Sequence, residues 1–385
     1  MSKTTQYSQL NFIRGSMALY VLVCHCAKAT GFNLKPLPGA GHAVDIFMML
    51  SGLLIALNFH EREKYEPWNK AKTFYKFYIR RFFRIAPLYY FFLFFAFLFL
   101  DSFFAISNIR PGQNITSWTP ELTKSISSNL EIRILLHVTF LFGLFPSFIQ
   151  DSILPDWSIG LEMQFYFIFP FLMLIIKKIG YFIPLFLFTI LYLIAPFLFG
   201  SYTSPGILLH FGQPSFLPLK INVFLIGILL GEAKYFMKIK KNEKAFKSLF
   251  FVFILSFIGY DFIINISAIY LLFWVISTSQ ILNTSLFHMF KKIDNFLDNK
   301  IVTFFSDTSY AVYLVHLLII YLANWYFLNY KFYILNNYFY NFILLVVFSI
   351  PVSYSTAFIL YRIIELPFIQ FGKKISLRFF RNYQS

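Results

Sequence analysis

Residues 11–27 read NFIRGSMALYVLVCHCA. Apart from Arg14 and His25 the stretch is almost wholly apolar, as a membrane helix requires. A helix turns about 100° per residue, so the eleven steps from Arg14 bring His25 to within about 20° of the same face, roughly 16 Å along the axis. Ionisable groups in a membrane helix are costly and face a cavity or a partner. A cation near one surface and an imidazole deeper in therefore outline a polar passage from one side.

The rest of the chain has the same character. Its 385 residues are 58% hydrophobic and 22% aromatic. Only 13% are charged, about half the usual share of a soluble protein, and the mean hydropathy is +0.65. Long apolar runs recur throughout, so the expected fold is all-α and polytopic in a membrane. Met1–Leu10 is polar and no small-residue cleavage site follows the first apolar run, so no cleavable signal peptide is expected. The net charge of +16 suits basic cytoplasmic loops. Nucleic-acid binding is not expected, because no soluble segment is long enough for a binding domain. Cys24 and Cys26 point to different sides of one helix and suit apolar packing, not a disulfide or a metal site.

Ten spans are expected, at 9–28, 43–59, 85–104, 158–176, 181–199, 217–236, 248–264, 267–284, 308–328 and 341–363. The apolar stretch 133–150 is interrupted by His137, Gly143 and Pro146. With both termini cytoplasmic and 133–150 not crossing, 25 Lys and Arg residues lie inside and six outside. If 133–150 crossed, sixteen of those 25 would move outside, against the positive-inside rule. That stretch is thus expected to be re-entrant or interfacial on the outer side. Residues 1–370 read as one membrane domain and 371–385 as a basic cytoplasmic tail. Gly227 and Gly231 form a GxxxG suited to close helix packing.

This topology gathers the polar residues into two groups. His25, Asp45 (in HAVDIFMMLSG) and Glu162 (in PDWSIGLEMQFYFIFP) all fall in the outer half of the membrane. An imidazole with a carboxylate is equipment for general-base catalysis, the carboxylate fixing the tautomer and stabilising the cation formed; each could also simply bond a neighbouring helix. On the cytoplasmic side Lys72, Lys76, Arg80 and Arg84 are spaced by four, with Arg81 beside them. On a helix they make one cationic stripe suited to phosphate, or to anionic lipid. His316 lies mid-span and either lines the same cavity or bonds a neighbouring helix. No phosphate-binding Gly-rich loop, HExxH or GxSxG occurs.

These residues resemble the membrane-bound acyltransferase-3 family, bacterial O-acyltransferases of surface glycans. The pattern is Arg14-Gly15 with His25, then Val44-Asp45-Ile46-Phe47 leading to Leu50-Ser51-Gly52. Arg81-Phe82-Phe83-Arg84-Ile85-Ala86-Pro87-Leu88-Tyr89-Tyr90 follows, then Trp157-Ser158 through Glu162 to Gln164-Phe165-Tyr166. Ser309-Tyr310 through Tyr313 and His316, and Glu365-Leu366-Pro367-Phe368, close it. Each motif alone is weak; six in order, from about residue 10 to 370, are specific. The chain departs from the pattern at Met163, where a second acid often stands, at Val315, often Trp, and at Leu366, often Lys. The extra esterase-like domain of some relatives is not expected here.

The resemblance implies ten membrane helices in a bacterial inner membrane. It implies acetyl-CoA as the usual acyl donor, entering from the cytoplasm, and a hydroxyl of a lipid-linked or cell-surface glycan, such as O-antigen, as acceptor. His25 is the implied catalytic residue, and Arg14, Arg81 and Arg84 are the implied partners of the CoA phosphates. In the resulting scheme the phosphates dock on Arg80, Arg81 and Arg84 with Lys76, and the pantetheine passes Arg14. His25, oriented by Asp45 or Glu162, deprotonates the acceptor; an acyl-histidine is the less favoured variant. Trp157, Ser51 and His316 are expected at the substrate. The rival reading is a transporter or flippase without chemistry, since intramembrane charges also mark transport paths.

Overall fold

The computed structural model describes residues 7–107, 129–149, 152–201, 206–258, 262–277 and 285–378. α1 (Ser8–Thr30) carries the opening stretch and stops at Gly31, whose φ of 76° makes the left-handed cap that glycine adopts freely. α2 (Ala40–Glu63) is followed by α3 (Ala71–Leu98) and the short α4 (Leu100–Ser107). The basic stripe and the third expected span are thus one helix. Pro87 inside it lacks the N–H for one rung of the ladder.

The stretch expected to be re-entrant forms α5 (Leu130–Val138) and two 3-10 turns at Phe142–Leu144 and Pro146–Phe148. Nine residues of helix reach only ~14 Å, so α5 does not cross a bilayer. Phe140, at φ 59°, ends it in a backbone conformation that bulky residues seldom take.

α6 (Trp157–Ile179), α7 (Phe182–Leu198), α8 (Ile221–Lys238), α9 (Asn242–Ile258) and α10 (Phe262–Ser277) follow. The chain continues with α11 (Ser285–Leu297), α12 (Lys300–Asn329) and α13 (Tyr338–Leu360), which runs through a π turn at Tyr361–Glu365 into α14 (Leu366–Arg378). One feature departs from the all-α expectation: β1 (Phe199–Ser201) pairs in parallel with β2 (Leu209–Phe211). These three-residue strands close the connection between α7 and α8.

Among the described residues six helical segments are long and apolar enough to cross a membrane: Ser8–Thr30, Ala40–Glu63, Ala71–Leu98, Trp157–Ile179, Lys300–Asn329 and Tyr338–Leu377. They coincide with six of the ten expected spans. The other four expected spans fall on α7 to α10, which are shorter or more charged. α7 has 17 residues, reaching ~26 Å against a ~30 Å hydrocarbon core. α8 carries Glu232, Lys234 and Lys238 within its 18 residues. α9 and α10 lie about six residues earlier than expected. Part of the outer segment after α4, residues 108–128, and the tail beyond 378 lie outside the described residues.

The centre is built by α1, α2, α8 and α12. α2 and α8 meet backbone to backbone: a Cβ on Gly227 would stand 2.0 Å from the Met49 carbonyl oxygen, and one on Gly231 2.5 Å from that of Leu53. The GxxxG is therefore a packing device. α12 lies on α1 and α13, and α14 packs along α3. Large apolar side chains such as Phe186, Phe197, Ile266 and Val347 face outward, as the outside of a membrane bundle requires. Lys177 pairs with Glu63, and Lys238 with Glu61 at 3.1 Å. These pairs bring the C-terminal ends of α2, α6 and α8 together at what we term the basic end.

Candidate functional site

At the basic end, Glu66 lies in the turn between α2 and α3. The Arg80 guanidinium grips it with both terminal nitrogens, at 3.0 and 2.7 Å. Lys76 and Arg62 stand 3.6 and 3.7 Å from its oxygens. Burial pushes the Glu66 carboxyl up, but the Arg80 hydrogen bonds and the three cations outweigh that and hold it below the usual carboxylate range. Arg80 and Lys76, both expected at phosphate, pair with Glu66, whose two oxygens fit the guanidinium fork; Arg80 also borders the cavity at this end.

Arg81 and Arg84, with Arg80 and Arg62, line a cavity of about 200 Å³ at the basic end, together with Asn58, Trp68 and Lys373. The Arg81 guanidinium also lies over the Tyr166 ring, 5.1 Å from its centroid, which suits its planar, weakly hydrated cation. The same Asn58, Arg81 and Arg84 border a second, central cavity of about 250 Å³. Arg14 from α1, Ser51 from α2 and Glu162 from α6 reach it as well. Glu162 Oε1 accepts from Ser51 Oγ at 3.1 Å and from the Tyr166 hydroxyl. Arg14, Arg81 and Arg84 all feel its charge. Glu162 faces the three guanidiniums across the central cavity, and Glu365 and Asp307 also act on Arg84 and Arg14.

His25 borders a third cavity, of about 760 Å³, at the far end. Asp156, Trp157, Lys28, Lys35 and Gln213 share its lining, so Trp157 stands on the same cavity as His25. The central and far cavities have Val44 and Tyr313 in common. Tyr313 is fixed there, its hydroxyl donating to the Pro155 carbonyl at 2.8 Å and lying 2.7 Å from Ser158 Oγ. The three cavities therefore stand in series, with Val44 and Tyr313 in the wall between the central and the far one.

The partners of the expected catalytic residues differ from the sequence expectation. His25 Nδ1 lies 2.8 Å from the Val21 carbonyl and 3.3 Å from Nε2 of His316, so neither Asp45 nor Glu162 holds the ring. Asp45 is gripped by Lys220 at 2.8 Å, which bridges the starts of α2 and α8. Glu162 lies on the central side of the wall, among the arginines. His316 is fully buried and does not border the described cavities; it stands behind His25.

A polar cluster escaped the sequence reading. Asp156 Oδ2 accepts from Ser152 Oγ at 2.7 Å and from the Tyr89 hydroxyl at 3.2 Å. His137 Nδ1 lies 2.8 Å from the same hydroxyl, its ring stacked on Phe142. His137 sits in the interrupted α5 segment, where neither periodicity nor spacing pointed to it. The one available signal was Asp156, an acid placed directly before Trp157 at a span start.

A sequence-family model described as an acyltransferase domain matches residues 7–362. Neither the curated proteins nor the solved structures contain a match.

Proposed function

The chain belongs to the acyltransferase-3 family, and on that premise we propose that it is a membrane O-acyltransferase. It moves an acyl group, acetyl first among them, from acyl-CoA on the cytoplasmic side to a hydroxyl of a cell-surface or lipid-linked glycan. The observation that carries this is the series of three cavities, arginine-lined at one end and bordered by His25 at the other. The basic end faces the cytoplasm, in keeping with its Lys and Arg content, and both termini lie there.

The residues divide the work as follows. Arg81 and Arg84, with Arg62 and Lys373, suit the phosphates of CoA, because guanidinium forks match phosphate oxygens. The flexible arm passes Arg14 and brings the thioester to the wall at Val44 and Tyr313. Glu162 holds the three guanidiniums apart and in place. On the far side Trp157 offers a ring face to a sugar. His25 takes the proton from the acceptor hydroxyl, and the oxygen attacks the thioester carbonyl.

Radiolabelled acetyl transfer from acetyl-CoA to native-host glycans, in membranes with wild type or His25→Ala, tests this. The expected outcome is label in glycan that falls about 10²–10⁴-fold in the variant. Undiminished label at equal protein abundance would remove His25 from the chemistry. Cavities in series would also suit a transporter. Acceptor-dependent release of CoA thiol by purified protein favours the enzyme, and its absence the transporter.

A further inference from the structure

The two histidines in contact carry more information than their distance. His316 Nδ1 lies 2.7 Å from the Tyr313 carbonyl oxygen and 3.2 Å from that of Val312. A carbonyl oxygen only accepts, so that nitrogen bears the proton and Nε2 keeps a bare lone pair. His25 Nδ1 lies 2.8 Å from the Val21 carbonyl oxygen, so it too bears a proton. His316 Nε2, 3.3 Å from His25 Nδ1, is a second acceptor for that proton, in a three-centre bond. The chain of donors runs one way: His25 Nδ1–H to His316 Nε2, then His316 Nδ1–H to the α12 backbone. His25 is left with its lone pair on Nε2.

We propose that His316 is a positioning residue for the acyl transfer. With Val21 it locks His25 in the tautomer whose Nε2 accepts the proton of the acceptor hydroxyl. The inference rests on the reading of His25 as the general base. The choice of a second imidazole over a carboxylate follows from the surroundings. His316 is fully buried in an apolar span, where a neutral acceptor costs far less than an unpaired anion. In the step, the hydroxyl proton moves to His25 Nε2 as the oxygen bonds to the acyl carbon. The C–S bond then breaks, and the thiolate takes that proton back from Nε2 to leave as CoA thiol. Throughout, His25 Nδ1–H stays shared between Val21 and His316, which orients the imidazolium while it exists.

The test compares His316→Gln with His316→Leu in the full chain in proteoliposomes. Acetyl-CoA is the donor, a native-host glycan extract the acceptor, and CoA-thiol release the readout. A glutamine oxygen can accept from His25 Nδ1–H; leucine keeps the apolar packing but accepts nothing. The expected result is a kcat about 10- to 100-fold lower for His316→Leu, an unchanged KM for acetyl-CoA, and partial recovery in His316→Gln. A purely structural role gives the reverse order, with leucine tolerated and glutamine penalised, and overturns the proposal. So does wild-type kcat in His316→Leu while His25→Ala is inactive. Activity surviving in His25→Ala instead overturns the general-base reading beneath it. Imidazole ¹⁵N shifts of histidine-labelled wild type give a second measurement that needs no variant to fold. The proposal expects both rings protonated on Nδ1; a His25 protonated on Nε2 overturns it.

Discussion

Glu66 gathers three cations at the mouth of the basic-end cavity. Its two oxygens hold Arg80 and draw in Lys76 and Arg62, while Arg81 and Arg84, on the same helix, reach the central cavity as well. Arg81→Lys should therefore raise the KM for acyl-CoA about tenfold, since a lysine lacks the planar fork. Arg80→Lys should change that KM less, because Glu66 already fills the Arg80 fork, and should lower stability more; steady-state kinetics and thermal melting of both variants separate the two roles. Glu66→Gln should cost about 1–3 kcal/mol at neutral pH, the worth of a hydrogen bond to a charged group. The folded carboxyl lies below its ordinary range, so its contribution is complete above the unfolded value of ~4.3. It is lost as pH falls through the folded value, so the melting difference between wild type and Glu66→Gln should shrink in acid. None of this was legible in KAKTFYKFYIRRFFR, where a spacing of four puts Lys76, Arg80 and Arg84 on one stripe. Their division comes from a carboxylate outside the helix. The same limit explains Asp45, whose partner Lys220 lies 175 residues away, and His316, 291 residues from His25. The pairing of Arg14 and His25 on one face was legible because both belong to one helix of regular pitch.

At the scale of the element, the contact between α2 and α8 is the most exacting. A methyl at Gly227 has 2.0 Å to the Met49 carbonyl oxygen, a backbone atom that cannot turn aside. Gly227→Ala should thus push the two helices apart and cost at least ~1–3 kcal/mol. Folded yield in detergent and thermal aggregation measure it. Gly39→Ala is the control, because nothing stands within 4 Å of its Cβ position, and it should melt like wild type. The long apolar helices were legible, since such runs leave few alternatives in a membrane; α11 and α14 were not, because their basic sequences were read as a connection and a tail. Helix ends were less legible. The third span was expected to begin at 85, after the cationic stripe, yet one helix, α3, starts at Ala71 and carries both stripe and span. α9 was placed too late because its polar first turn was assigned to a connection, and the start of α10 was read as the end of the span before it. The two short strands had no period long enough to read.

For the molecule as a whole, charge gives an orientation that labelling can check. In a background with Cys24→Ser and Cys26→Ala, Lys331→Cys should react with an impermeant maleimide in intact cells. Lys241→Cys should react only after permeabilisation. Equal labelling at both sites in intact cells would contradict the orientation. The crossing of α7 to α10 is testable in the same way, by cysteines placed in the turns between them. One consequence concerns the membrane itself. Deep cavities entering from both faces leave little protein between two solutions that a living cell keeps at different electrical and proton potentials. Val44 and Tyr313, which border both the central and the far cavity, are part of the insulation. Tyr313→Phe, which keeps the ring, should stay tight. Tyr313→Ala should discharge an imposed proton gradient faster in dye-loaded vesicles. An enzyme that reaches through a bilayer must also remain a seal, and in this chain the two residues at the meeting of its cavities share that duty.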